Sequence, residues 1–170
     1  MTDKLYYNDA AMLDFSAELV VQKATQRGST VCLNQSAFYP TSGGQPYDTG
    51  TLNDVPVIDV WEDDQGAVWH LLKHPLEQDT VIGHVNKTRR FDHMQQHTGQ
   101  HLLSASLYNL HRANTIGFHL GSEISTIDLD IPELSWETAF NLEHQVNSVI
   151  WDNRPVTISY VTKDEIQKIP

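Results

Sequence analysis

Apolar and polar residues alternate through the first half of the chain. Val55–Trp61 alternates with a period of two, Asp63-Asp64-Gln65-Gly66 follows as a turn, and Ala67–Lys73 continues as the second arm of a hairpin. Leu19–Ala24 alternates more weakly, Thr30–Asn34 is a short β-branched run, and Thr80–Val85 reads as one further strand. Ala10–Leu19 fits either a helical turn or a strand. Short strands at this spacing, with no helical period between them, predict a small closed or nearly closed barrel. The period changes near Lys87–Arg90. Phe91–Arg112 contains no proline and is rich in helix formers. Ser135 then offers an N-cap, with Glu137 in the first turn. An apolar stripe of Trp136, Ala139, Phe140, Val146, Val149 and Ile150 follows it and ends near Asn153, ahead of Pro155. Ser125–Leu129 alternates between the two helices, and Val156–Thr162 alternates after the second. The second half thus reads helix, strand, helix, strand. The predicted class is α+β: an N-terminal small β-barrel over residues 1–88, then helices packed on an antiparallel sheet over residues 89–170.

Composition narrows the chemistry. The 170 residues suit one large domain or two small ones, and 39% hydrophobic with 19% charged residues is enough for a packed core. No apolar run approaches the roughly 18 residues of a membrane helix, and Met1–Ala10 lacks an apolar signal segment, so a cytoplasmic protein without membrane contact is expected. Cys32, the only cysteine, excludes an internal disulfide and a cysteine-rich zinc ribbon, and its place in Thr30–Leu33 suits a small apolar core residue. Lys and Arg total 11 against 22 Asp and Glu, a net charge of −11. That balance argues against wrapping nucleic acid by bulk charge. Lys87, Arg89 and Arg90 form the one dense basic patch, which serves equally well as a solvated linker. Histidine is the unusual count: nine in all, six of them between His84 and His119.

Three of those histidines lie in His93-Met94-Gln95-Gln96-His97-Thr98-Gly99-Gln100-His101. On a helix, residues four apart share a face, so His93, His97 and His101 form a stripe that Ser104 and Tyr108 continue. Two imidazoles at i and i+4 reach a single metal, the basis of His-x-x-x-His zinc sites. A metalloprotease needs Glu directly after the first histidine, where Met94 and Thr98 stand, so that chemistry is excluded. A polar helix face with buried or solvated histidines accounts for the spacing equally well.

Two further segments carry candidate chemistry. In Phe38–Gly50, the pair Gly43-Gly44 allows positive φ and close approach of a backbone or ligand, although a tight turn between strands explains it alone. No phosphate-loop pattern is present. Gly117–Glu123 enters the Ser125–Leu129 strand and places His119 where it can face the cavity of His97 and His101; a structural histidine beside Phe118 is the plainer account.

Taken together, Phe38–Gln45, Arg90–Ser104 and Phe118–Leu129, in this order and spacing, closely resemble the AlaX proteins, free-standing relatives of the editing domain of alanyl-tRNA synthetase. The resemblance runs from about Ala37 to Pro170. It implies a barrel bearing the glycine motif, followed by an α/β editing domain that hydrolyses the ester of tRNA(Ala) mischarged with serine or glycine and so protects translation fidelity. It also implies zinc as cofactor, held by a His-x-x-x-His pair that maps onto His97 and His101 and by a Cys-x-x-x-His pair. Ser42, Gly43, Gly44 and Gln45 match the motif linked to serine discrimination, and Gln100 and His119 match positions lining the amino-acid pocket. These, with His97 and His101, are the expected catalytic and substrate-binding residues, and Lys87, Arg89 and Arg90 are the expected tRNA contacts.

The second ligand pair has no counterpart in this sequence, since Cys32 lies in the barrel half. A shortened or split form of the family domain, or a natural variant with half a zinc shell, is therefore expected. The alternative function is a non-catalytic tRNA-binding or interaction module that keeps the fold.

Overall fold

The computed structural model describes residues 1–166. Eight strands occupy the first half: β1 (Asp3–Lys4), β2 (Asp14–Thr25), β3 (Gly28–Leu33), β4 (Gln35–Ser36), β5 (Gly50–Leu52), β6 (Val55–Glu62), β7 (Val68–Leu72) and β8 (Thr80–Val85). Six of them close a barrel in the order β2-β3-β7-β6-β5-β8, with every pairing antiparallel. Alternation directs the packing: Phe15 and Ala17 of β2 and Val81 and Val85 of β8 point inward while their neighbours face water. Inside lie Phe38, Leu33, Leu52, Val60 and Leu72, all fully buried. Cys32 is buried in β3, as its sequence context predicts.

The predicted hairpin is β6–β7, and the ambiguous Ala10–Leu19 segment resolves into the start of β2. The barrel closes through β5, three residues too short to show a period, which bridges β6 and β8. The short β1 and β4 pair in parallel outside it.

The second half contains α1 (Lys87–His111), β9 (Thr115–His119), β10 (Thr126–Leu129), α2 (Trp136–Trp151) and a short α3 (Lys163–Ile166). Asn86 caps α1 by accepting the Arg89 N–H at 2.9 Å, which starts the helix four residues before the predicted Phe91. Ser135 caps α2 as predicted, accepting the Thr138 N–H at 3.1 Å. β9 and β10 form a two-stranded antiparallel sheet, with Ile127 opposite Phe118. A small core of Leu107, Ala113 and Leu142, flanked by Leu103, Ile127 and Val146, joins the helices to it.

Two expectations change. Val156–Thr162 is not a strand: it has no regular secondary structure and, among the described residues, no ladder partner, while the Tyr160 hydroxyl donates to the Tyr7 carbonyl at 2.6 Å. The apolar stripe of α2 is only partly used, since Trp136 is 82% and Phe140 65% exposed. Residues 167–170 of the second predicted unit lie outside the described residues. No helix among the described residues is long and apolar enough to cross a membrane.

Candidate active site

Ser42 and Gln45 exchange backbone hydrogen bonds at 3.0 and 2.9 Å around Gly43 and Gly44, whose φ values of +57° and +83° are those of a type I′ turn. The tight turn is therefore present, and it also docks. The Gly44 carbonyl accepts the Leu120 N–H at 3.0 Å, and a Cβ on Gly44 would lie 2.0 Å from the Phe118 carbonyl oxygen. Glycine is required there by φ and by contact alike.

This docking carries Gln45 to the helix. The Gln45 Oε1 lies 2.7 Å from the His97 Nδ1. A carbonyl oxygen only accepts, so Nδ1 bears the proton and Nε2 is left with a free lone pair. The His97 ring stacks on His101 at 4.9 Å between centroids, 17° from parallel, and the Phe118 ring lies tilted 6.0 Å away. Desolvation, then the neighbouring His101, lowers the His97 pKa and favours the neutral, ligating form. Gln45, His97 and His101 line one cavity of about 400 Å³ against the barrel.

A buried ion pair holds the start of α1 in place. Arg90 Nε and Nη2 donate to the Asp48 Oδ2 at 3.1 and 2.6 Å, while Arg90 Nη1 donates to the Ala10 carbonyl at 2.7 Å. The same Asp48 oxygen accepts the Tyr39 N–H at 2.7 Å. Three residues past Gln45, Asp48 thus ties the glycine segment and the histidine helix to one point. Its only trace in the sequence is an acid after the glycine motif and an arginine before the histidine motif.

No protein-family model matches the chain. Among curated relatives, it is 37% identical over 145 residues to the alanyl-tRNA editing protein Aarsd1-B of Xenopus laevis, covering 85% of this chain and 35% of the relative. It is 30% identical over 177 residues to the alanyl-tRNA editing protein AlaX-L of Pyrococcus horikoshii, covering 100% of this chain and 42% of the relative. With AlaX-M of the same organism the identity is 37% over 139 residues, covering 78% and 62% respectively. The chain belongs to the AlaX family. It spans less than two thirds of the length of each of these relatives.

Not every residue that the AlaX resemblance singles out reaches the histidine pair. Ser42, Gly43 and Gly44 are exposed in the turn, and of that motif Gln45 alone lines the cavity. Gln100 points to the other side of α1, where it donates to the Ser104 Oγ at 2.8 Å and lines a separate cavity of about 400 Å³ with Phe118 and Ser125. His119 lies exposed opposite Thr126 on the β-hairpin and lines neither cavity, because alternation along β9 turns it away from Phe118's side. Arg90 requires correction as a tRNA contact: it is 4% exposed and its guanidinium is engaged by Asp48 and main-chain carbonyls. Lys87 is exposed, whereas Arg89 is half-buried and donates through Nε to the Tyr47 carbonyl at 2.9 Å.

For zinc, the histidine pair is suitable and the remaining donor set is not. His97 and His101 offer two stacked imidazoles, one with its tautomer fixed by Gln45 in the manner of an outer-shell partner. No group of three His, Cys, Asp or Glu side chains converges among the described residues. His93, one turn earlier on the stripe, is 2% exposed and turned into the interior, where burial lowers its pKa.

Proposed function

We propose that this chain acts in alanyl-tRNA editing, cleaving the ester that joins serine or glycine to tRNA(Ala). The observation that carries this is the Gln45–His97 hydrogen bond, which locks the glycine turn of the barrel onto the histidine helix in a family whose named members are alanyl-tRNA editing proteins. In the reaction water adds to the ester carbonyl, the ribose oxygen leaves with a proton, and the free amino acid departs. Gln45 orients His97, whose unprotonated Nε2 points away from that bond, and His101 holds the ring in a stacked position. Serine is favoured over alanine if the pocket hydrogen-bonds its hydroxyl, since a site built for a hydroxyl strongly rejects an analogue without it. We further propose zinc as cofactor, with His97 and His101 as two ligands and the rest of the shell supplied from outside this pair; bound there, it would supply Lewis-acid chemistry.

Deacylation of Ser-tRNA(Ala) and Gly-tRNA(Ala), measured with added zinc, tests this reading. The parent clears one or both, and His97→Ala and His101→Ala abolish the activity. Either variant clearing the substrate at the parent rate would overturn the assignment. Among the described residues no third ligand is present, and that favours a second reading, a module that binds tRNA without cleaving it. Tight tRNA binding with no deacylation in saturating zinc would establish it. In either case Lys87 and Arg89 are the proposed phosphate contacts. Neutralising each should lower the salt slope of tRNA binding by about one.

A further inference from the structure

α2 carries two apolar faces, and only one is covered. Leu142 and Val146 belong to the small core with Leu107, Ile127 and Leu129. Trp136, Phe140, Glu143, Asn147 and Ile150 follow at intervals of four, three, four and three, so they share a second face about 21 Å long. Such spacing is the seam along which one helix packs against another. Trp136, Phe140 and Ile150 are more than half exposed on it, as is Trp151 beside Ile150, and Glu143 is exposed at its centre. Charge narrows what can cover this seam. Ala113–Trp151 contains Glu123, Asp128, Asp130, Glu133, Glu137 and Glu143, and no lysine or arginine. The next cation in the chain, Arg154, donates to Asp152 at 2.7 Å. Glu143 has no ion-pair partner among the described residues. A wholly apolar partner would bury that carboxylate without a counter-charge, at a large cost. A second copy fares no better, since a two-fold pairing of the seam, parallel or antiparallel, sets Glu143 against Glu143. RNA phosphates find no cation here.

We infer that the Trp136–Ile150 face of α2 docks an amphipathic helix of another polypeptide, one with apolar residues at the same spacing and a Lys or Arg opposite Glu143. Trp136 and Phe140, 6.4 Å apart between ring centroids, anchor one end, and Ile150 with Trp151 anchors the other. Glu143 between them selects the partner by charge, and Asn147 adds a polar contact that fixes register. The inference stands apart from the editing reading, because no residue of α2 lines the cavity of His97 and His101.

The test titrates the whole chain into a fluorescein-labelled synthetic helix of about three heptads, with Leu along its seam and Lys at the central seam position, and follows anisotropy. A twin peptide with Glu at that position is the comparison. The parent should bind the Lys peptide at least about tenfold more tightly than the Glu peptide. Trp136→Gln should weaken the Lys peptide about tenfold, and Glu143→Lys should reverse the preference between the two peptides. Both positions are exposed, so both variants should keep the urea midpoint of the parent. No binding of the Lys peptide at about 1 mM, equal binding of the two peptides, or a preference that Glu143→Lys leaves in place overturns the inference. A parent chain that sediments as a dimer and becomes monomeric in Trp136→Gln would put a second copy on the seam and overturn it too. Displacement of the Lys peptide by oligouridylate would make the seam an RNA contact, with the same consequence.

Discussion

The barrel and the helical half bury their apolar residues to very different degrees. The barrel closes all its edges and surrounds a core that includes Phe15, Leu33, Phe38, Leu52, Val60 and Leu72. The helical half has a buried core of Leu107, Ala113 and Leu142, while Trp136, Phe140, Ile150 and Trp151 of α2 stay more than half exposed. A closed barrel satisfies its own backbone and hides its own side chains, whereas a two-stranded sheet packed with α1 and α2 around a small core does neither. The helical half therefore depends on what docks it to the barrel, and the proposed chemistry sits at that junction. Arg90 is the strongest part of the dock. Arg90→Met leaves Asp48 buried without a counter-charge and should cost about 3–5 kcal/mol in urea unfolding. A cost under about 1 kcal/mol would mean the halves do not depend on this pair.

The glycine turn is the second tie. Gly44→Ala places a methyl against the Phe118 carbonyl at a φ of +83° and should cost roughly 3 kcal/mol, with loss of the Gln45–His97 contact. Gly43→Ala has the same sign of φ with open space around it, and only the conformational term of about 1–2 kcal/mol applies. Equal costs for the two would show that the turn does not press on β9.

Acid sharpens the contrast from the barrel side. His70 is fully buried beside Phe38, with its Nε2 2.8 Å from the Ser36 Oγ, and burial lowers its pKa to about 4. The folded state keeps it neutral while the unfolded chain binds a proton near the ordinary value of about 6.5. Stability is then complete above that value and falls as pH drops from it toward the folded pKa. Between about pH 7 and pH 5 the barrel should lose roughly 2 kcal/mol, and His70→Gln should remove most of that dependence. An unchanged slope in the variant would assign the acid sensitivity elsewhere.

Local pattern made most of this architecture legible, because alternation in β2, β6, β7 and β8 and the caps of α2 are properties of short segments. β5 escaped it, since three residues carry no period, and Val156–Thr162 misled it, since alternation describes a face and does not supply a partner strand. In the site, the i, i+4 spacing of His97 and His101 was readable on one helix. Which cavity Gln100 lines depends on what packs against its side of α1, His119 lies on the exposed side of β9, and the burial of Arg90 depends on Asp48, forty-two positions away. Spacing alone could not distinguish a buried guanidinium from one free to meet phosphate.

The smallest effect probes the open face itself. Trp136 is 82% exposed on α2 and lies 6.4 Å from the Phe140 ring between centroids, so the two form one patch facing water. Replacing an exposed apolar residue removes little buried area, so Trp136→Gln should shift stability by no more than about 0.5 kcal/mol in dilute solution. The helix start survives the change, because Ser135 caps it through its own hydroxyl and the Thr138 N–H. A loss above about 2 kcal/mol, or one that grows with protein concentration, would mean the patch is covered in solution. In that case the helical half would be completed by association, and its contrast with the self-contained barrel would be one of partnership rather than of intrinsic stability.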